Sequence, residues 1–98
     1  MNERQLHQGV FELLQWENPD CVWYPVPNFS GDLGPMLGRK FKEQGVRLAG
    51  VPDFVFHWKD GSGFIELKVG TNTLSEVQRN FRDKCVEREI PFRVCRSL

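Results

Sequence analysis

Three charged side chains stand where two short apolar strands are expected. In GVPDFVFHWKDGSGFIELKVG, residues 50–70, Asp53 precedes the first apolar run, and Glu66 and Lys68 interrupt the second. Two carboxylates a few ångströms apart repel, so one takes a proton unless a cation lies between them. Hard oxygen ligands in this number suit Mg²⁺ or Mn²⁺, which keep several waters and need few protein ligands. A lysine two residues from Glu66 shares its face of the strand. It can position or deprotonate an attacking water, or stabilise the charge of a phosphorane-like transition state. The chemistry open to these residue types is metal-assisted phosphodiester hydrolysis. The same residues also fit an Asp in a turn beside Pro52 and an exposed Glu–Lys pair, worth between a few tenths and about 1 kcal/mol.

The elements that carry the charges decide whether they meet. Phe54, Phe56 and Trp58 alternate with Asp53, Val55 and His57, and Phe64, Glu66 and Lys68 alternate with Ile65, Leu67 and Val69. Asp60-Gly61 is the turn signal. A two-residue turn there sets Asp53 opposite Lys68 and Val55 opposite Glu66. A four-residue turn over 60–63 moves each partner by two places and keeps the faces. Only an odd turn length separates the acids.

Around the hairpin, ERQLHQGVFELLQWE places Leu6, Val10, Leu13 and Leu14 at helical spacing, with Asn18, Pro19 and Asp20 as its end. Glu3 falls near that apolar face and could supply another carboxylate to a second ion or a bound water, whereas Glu12 falls on the opposite side. CVWYPV reads as an edge strand because of its prolines, with Trp23 and Tyr24 as core rather than as a self-association contact. MLGRKFKEQG reads as a short helix stopped by Gly45. In TNTLSEVQRNFRDKCVERE, Thr73 and Glu76 have capping-box spacing, and Leu74, Val77, Phe81 and Cys85 form a stripe. Gln78 lies on the edge of that stripe and needs a hydrogen-bond partner there. PFRVC is a last strand. Strands separated by helices imply an α/β fold, a mixed central sheet flanked by helices.

Ninety-eight residues fit a single domain, 1–98. No apolar run is long enough to cross a membrane, and the first residues lack the pattern of a secretory leader. Cys21, Cys85 and Cys95 are odd in number and lack C-x-x-C spacing, which fits a reducing cytoplasm better than a disulfide framework or a zinc site. Formal net charge is +0, so no global field drives the chain toward nucleic acid. The distribution is uneven, however. Arg39, Lys40, Lys42 and Arg47 against Glu43 give residues 39–47 a net of +3, and a local basic patch can hold phosphates. It follows a long glycine-rich connection from Asn28 to Gly38, which reads either as a plain connector or, beside a nuclease site, as a DNA-contacting loop with little sequence preference. His7 and His57 read as structural or solvated.

The form P-D, turn, apolar-E-x-K in PDFVFHWKDGSGFIELK resembles the PD-(D/E)xK nuclease superfamily. More narrowly, RLAGVPDF, FIELK and LSEVQRNF follow one another as in VRR-NUC domains. ERQLHQGVFELL, PVPN and GRKFKEQGVRLAGVPD are similar to the small stand-alone members of phages and bacteria. The resemblance covers nearly the whole chain. It implies a restriction-endonuclease-like αβββαβ core with the site at the edge of the sheet. By that resemblance Asp53 and Glu66 are metal ligands, the backbone carbonyl of Leu67 is a third contact, and Lys68 is the catalytic lysine. Glu3 is the helix-borne acid, and Gln78 matches the glutamine of the helix after E-x-K.

Stand-alone members resemble Holliday junction resolvases that act as homodimers, so the expected activity is a Mg²⁺- or Mn²⁺-dependent, structure-selective endodeoxyribonuclease acting on four-way junctions, in a bacterial cell or phage-infected host. Asn28, Arg39, Lys40, Lys42 and Arg47 are the expected DNA contacts. A flap or nick nuclease, a catalytically idle DNA-binding module and a regulatory domain with a mere surface charge pair are the alternatives. The presence of all of Asp53, Glu66 and Lys68 speaks against an idle module.

Overall fold

The structure is a computed structural model, and it describes residues 1–26 and 50–97. The expected helix over 36–45 and the expected DNA contacts Asn28, Arg39, Lys40, Lys42 and Arg47 lie outside those residues.

The chain opens with α1, Glu3–Glu17. Asn2 caps it in a reciprocal box: its side chain accepts the Gln5 N–H, and Gln5 Oε1 accepts the Asn2 N–H, both at 2.8 Å. Asn18 ends the helix in the left-handed region at φ 46°, donating its N–H to the Leu14 carbonyl. Strand β1, Val22–Pro25, β2, Phe54–Trp58, and β3, Gly61–Leu67, follow. Helix α2, Glu76–Glu87, and β4, Phe92–Cys95, complete the αβββαβ order. The sheet runs β1-β2-β3-β4. The first two pairings are antiparallel and β3–β4 is parallel, which is why α2 must lie between them as a crossover. The mixed α/β architecture expected from the sequence is the one observed.

Strand alternation assigns the layers. Phe54 and Leu67 join Leu6 and Val10 of α1 in one buried cluster, with Trp23, Phe56, Ile65 and Cys95 packed against it. Burying each large apolar side chain here contributes roughly 1.5–3 kcal/mol. The apolar stripe of α1 turns toward His7 and Phe11, so Leu13 lies on its margin and is exposed rather than buried. His7 stacks on Phe54 with ring centroids 4.7 Å apart. The other face of the sheet meets α2, where Phe64 and Phe81 pack edge to face at 5.0 Å. Trp23 is core as expected, but Tyr24 alternates onto the opposite face and is exposed, its hydroxyl 3.0 Å from His57 Nε2.

Two local expectations are corrected. Trp58 pairs with Gly61, so the turn residues are Lys59 and Asp60, not Asp60 and Gly61. Neither Asp60 nor Gly61 has a positive φ, so the Asp-Gly signal does not operate as a primed turn. Gly61 instead serves β3, where the Trp58 ring lies 3.6 Å from the position a Cβ would take. The parity of the turn is even, and the faces are those expected. The capping box of α2 is formed by Ser75 and Gln78, not by Thr73 and Glu76. Leu74 precedes the helix and is buried, whereas Val77, expected in the stripe, is half exposed.

Candidate active site

The β2–β3 ladder ends at the pair Phe54 and Ile65. One step further the pairing would set Asp53 opposite Glu66, and two features close the hairpin there. The Asp53 carbonyl accepts the Val26 N–H at 2.8 Å, tying the residue to the edge of β1. Its carboxylate Oδ2 accepts the Leu67 N–H at 2.8 Å. In a regular ladder that N–H would meet the carbonyl of residue 52; the Asp53 side chain stands in for it. The Phe64 and Lys68 N–H groups point the other way, to the carbonyls of Pro91 and Cys95. Because the N–H and C=O of one strand residue share an edge, the Leu67 carbonyl faces the side where Asp53 lies.

Glu66 sits one residue before the end of β3 and is 3% exposed. Its Oε1 accepts a hydrogen bond from Gln78 Nε2 at 2.9 Å. That bond crosses from the sheet to α2 and answers the polar group that the sequence places on an apolar stripe. Burial pushes the Glu66 carboxyl up to about 8, with help from the charge of Asp53, a hydrogen bond to the Asp53 carboxyl and, last, Glu3; Lys68 opposes the rise. Near neutral pH the pair therefore shares a proton or requires a cation.

Lys68 follows β3 with its side chain 12% exposed, and its Nζ lies 3.8 Å from Glu3 Oε1 at the first turn of α1. Glu12, the other acid of that helix considered from the sequence, accepts from Gln8 on the exposed surface. Thus Asp53, Glu66, Lys68, Gln78 and Glu3 gather at one end of the hairpin, linked by hydrogen bonds and one ion pair. Arg96 braces the segment between Lys68 and α2, donating to the Gly70 and Asn72 carbonyls. An open groove lined by Pro19, Cys21, His57 and Lys59 lies at the other end of the hairpin, away from these carboxylates.

The donor set suits a hard divalent cation. Each acid spends one oxygen on an internal donor, leaving Asp53 Oδ1 and Glu66 Oε2, and two close carboxylates are the arrangement a cation relieves. Among the described residues no three His, Cys, Asp or Glu side chains form a metal-binding group. Glu3 is instead turned to Lys68.

Sequence reasoning missed Ser75. It is the N-cap of α2 and accepts the Gln78 N–H on its Oγ at 3.2 Å, while its own N–H donates to Gln78 Oε1 at 2.8 Å. The signal was present as Ser-x-x-Gln, two residues beyond Thr-x-x-Glu, and the second box is the one that forms, in a helix whose Gln78 also reaches Glu66. All three cysteines are free, and no helix among the described residues is long and apolar enough to cross a membrane.

Neither a curated protein nor a solved structure matches the chain. The family profile of the VRR-NUC domain does, over residues 2–98, which takes in every element described above. That match implies a nuclease of the PD-(D/E)xK type with DNA as substrate, in a superfamily that generally uses divalent metals. The chain belongs to the VRR-NUC domain family.

Proposed function

We propose that this chain is a structure-selective DNA endonuclease that depends on Mg²⁺ or Mn²⁺ and hydrolyses phosphodiester bonds at four-way junctions as a homodimer. The observation that carries the reading is the Asp53–Glu66 pair. One acid is almost fully buried and held well above the usual carboxylate range beside a second acid. Asp53, Glu66 and the Leu67 carbonyl would hold the cation. When bound there, it supplies Lewis-acid polarisation of the scissile phosphate and neutralises the paired acids.

The chain's own residues do the rest. Asp53 is oriented by the Leu67 N–H and Glu66 by Gln78, so neither must reorganise when substrate arrives. Lys68, largely shielded and held toward Glu3, presents a positive charge to the phosphoryl oxygens as negative charge builds on them. Arg39, Lys40, Lys42, Arg47 and Asn28 are proposed to hold phosphates of the DNA backbone. Junction cleavage favours a two-fold pair, because an isologous dimer sets two equivalent sites a fixed distance apart on opposed strands.

The test is cleavage of end-labelled four-way junction, flap, nicked and linear duplex DNA with each metal, comparing wild type with Lys68→Ala and Glu66→Ala. Paired nicks in opposed strands, lost in both variants and absent from linear duplex, are expected. Preferential cutting of flaps or nicks would retain the nuclease and replace the junction. No cleavage of any substrate with either metal would leave an idle DNA-binding module.

A further inference from the structure

The N-cap of α2 is joined to the carboxylate pair through a single amide. Gln78 Oε1 accepts the Ser75 backbone N–H at 2.8 Å, and Gln78 Nε2 donates to Glu66 Oε1 at 2.9 Å. The orientation of that amide follows from its neighbours. Ser75 N–H can only donate, so an amide oxygen must face it. A flipped amide would set two donors against each other at Ser75, and two acceptors against each other wherever Glu66 is ionised. The Ser75 end therefore enforces one orientation, and the Ser75 Oγ, accepting the Gln78 backbone N–H at 3.2 Å, holds the residue in the first turn where it can reach both.

We infer that Ser75 is a positioning residue of the nuclease site: its cap fixes the Gln78 amide, which commits Glu66 Oε1 and leaves Glu66 Oε2, with Asp53 Oδ1, to face the cation. This rests on the nuclease reading above. A capping residue ordinarily secures only its helix, and its loss costs about 1 kcal/mol of stability. Here the same hydrogen bonds also set the direction of a ligand on β3, the neighbouring element. Partners that orient metal ligands affect affinity by about 10–100-fold when they touch the ligand directly, and Ser75 acts one step further out.

The experiment measures Mn²⁺ affinity by calorimetry without DNA, for wild type, Ser75→Ala, Ser75→Thr, Gln78→Ala and the Ser75→Ala/Gln78→Ala double variant. It also measures hydrogen exchange of the Gln78 side-chain amide by NMR in metal-free protein. Gln78→Ala is expected to weaken Mn²⁺ binding by about 10–100-fold. Ser75→Ala weakens it by a smaller factor, about three- to tenfold, and Ser75→Thr, which keeps the hydroxyl, restores it to within about twofold. Because Ser75 acts through Gln78, the double variant is no worse than Gln78→Ala alone. The Gln78 amide exchanges slowly in wild type and faster in Ser75→Ala.

A Ser75→Ala protein that melts earlier but binds Mn²⁺ as wild type does would overturn the proposal and leave an ordinary helix cap. Multiplying losses in the double variant, or unchanged amide exchange in Ser75→Ala, would overturn it as well. These results leave the nuclease reading intact. Wild type that binds no Mn²⁺, or binds it equally well after Asp53→Asn, would overturn the nuclease reading and the proposal with it, even with the amide protected.

Discussion

Asp53 Oδ2 accepts the Leu67 backbone N–H at 2.8 Å, so the acid that opens β2 is fastened to the residue between Glu66 and Lys68. The proline-aspartate end of one strand and the E-x-K end of the next are therefore one unit. The arrangement places Asp53 beside a carboxylate that is 3% exposed. Its consequences for stability, metal binding and catalysis can be measured separately.

In metal-free protein the Glu66 carboxyl is raised from 4.5 to about 8, chiefly by burial and then by Asp53. Between those values the folded chain keeps a proton that the unfolded chain has released. The resulting stability is complete below the unfolded value and is lost as pH rises toward 8. Thermal melts in chelator should show the melting temperature falling over that window. Glu66→Gln, which cannot ionise, should flatten the profile; an unchanged slope would assign the effect to other groups.

A divalent cation should reverse that trend, because it binds the deprotonated pair and competes with the proton. At a hundred times its dissociation constant, Mn²⁺ should add about 2.7 kcal/mol. For a chain of this length that is a rise in melting temperature on the order of 10 °C. The rise should grow from pH 6 to pH 8 and vanish in Asp53→Asn. Scanning calorimetry at several metal concentrations checks both points.

Glu3 and Lys68 differ in what they are expected to contribute. Their ion pair spans 3.8 Å with Glu3 half exposed, so losing it costs no more than about 1 kcal/mol. Glu3→Ala should slow cleavage by less than about tenfold. Lys68→Ala removes the charge proposed to face the phosphate and should slow it by about 10²–10³-fold. Single-turnover rates compare the two. Equal losses would make Glu3 part of the metal shell rather than a support for Lys68.

Gly50 offers a test of how the segment before Asp53 is seated. It has φ +77°, and an added Cβ would lie 2.6 Å from Val77 Cγ1 and 2.7 Å from the Val77 carbonyl oxygen. Gly50→Ala should destabilise the protein by roughly 1–3 kcal/mol from backbone strain, in addition to the clash. Trimming the side chain with Val77→Ala should recover only part of the loss, since the carbonyl remains. Denaturant midpoints of Gly50→Ala, Val77→Ala and the double variant give the answer.

Much of this molecule can be read from its residues in order. Alternation across 53–58 and 64–69 places Asp53, Glu66 and Lys68 on one face for any even turn, and that parity held although the turn lies at Lys59–Asp60. The helical spacing of Leu6, Val10 and Leu14 and the β-α-β order that ends in PFRVC likewise determined the α/β class. Those signals are local, set by side-chain period and chain connectivity.

Tertiary structure decided what depends on partners far away in sequence. Thr73-x-x-Glu76 and Ser75-x-x-Gln78 are equal as local capping boxes, and the second forms in a helix whose Gln78 also reaches Glu66. Tyr24 and Leu13 are apolar enough for a core, but the face of β1 and the rotation of α1 against Phe54 leave them exposed. The protonation of Glu66 is of the same kind. Its residue type allows charge, and only burial beside Asp53, when strand and helix close over it, makes that charge costly enough to demand a proton or a cation.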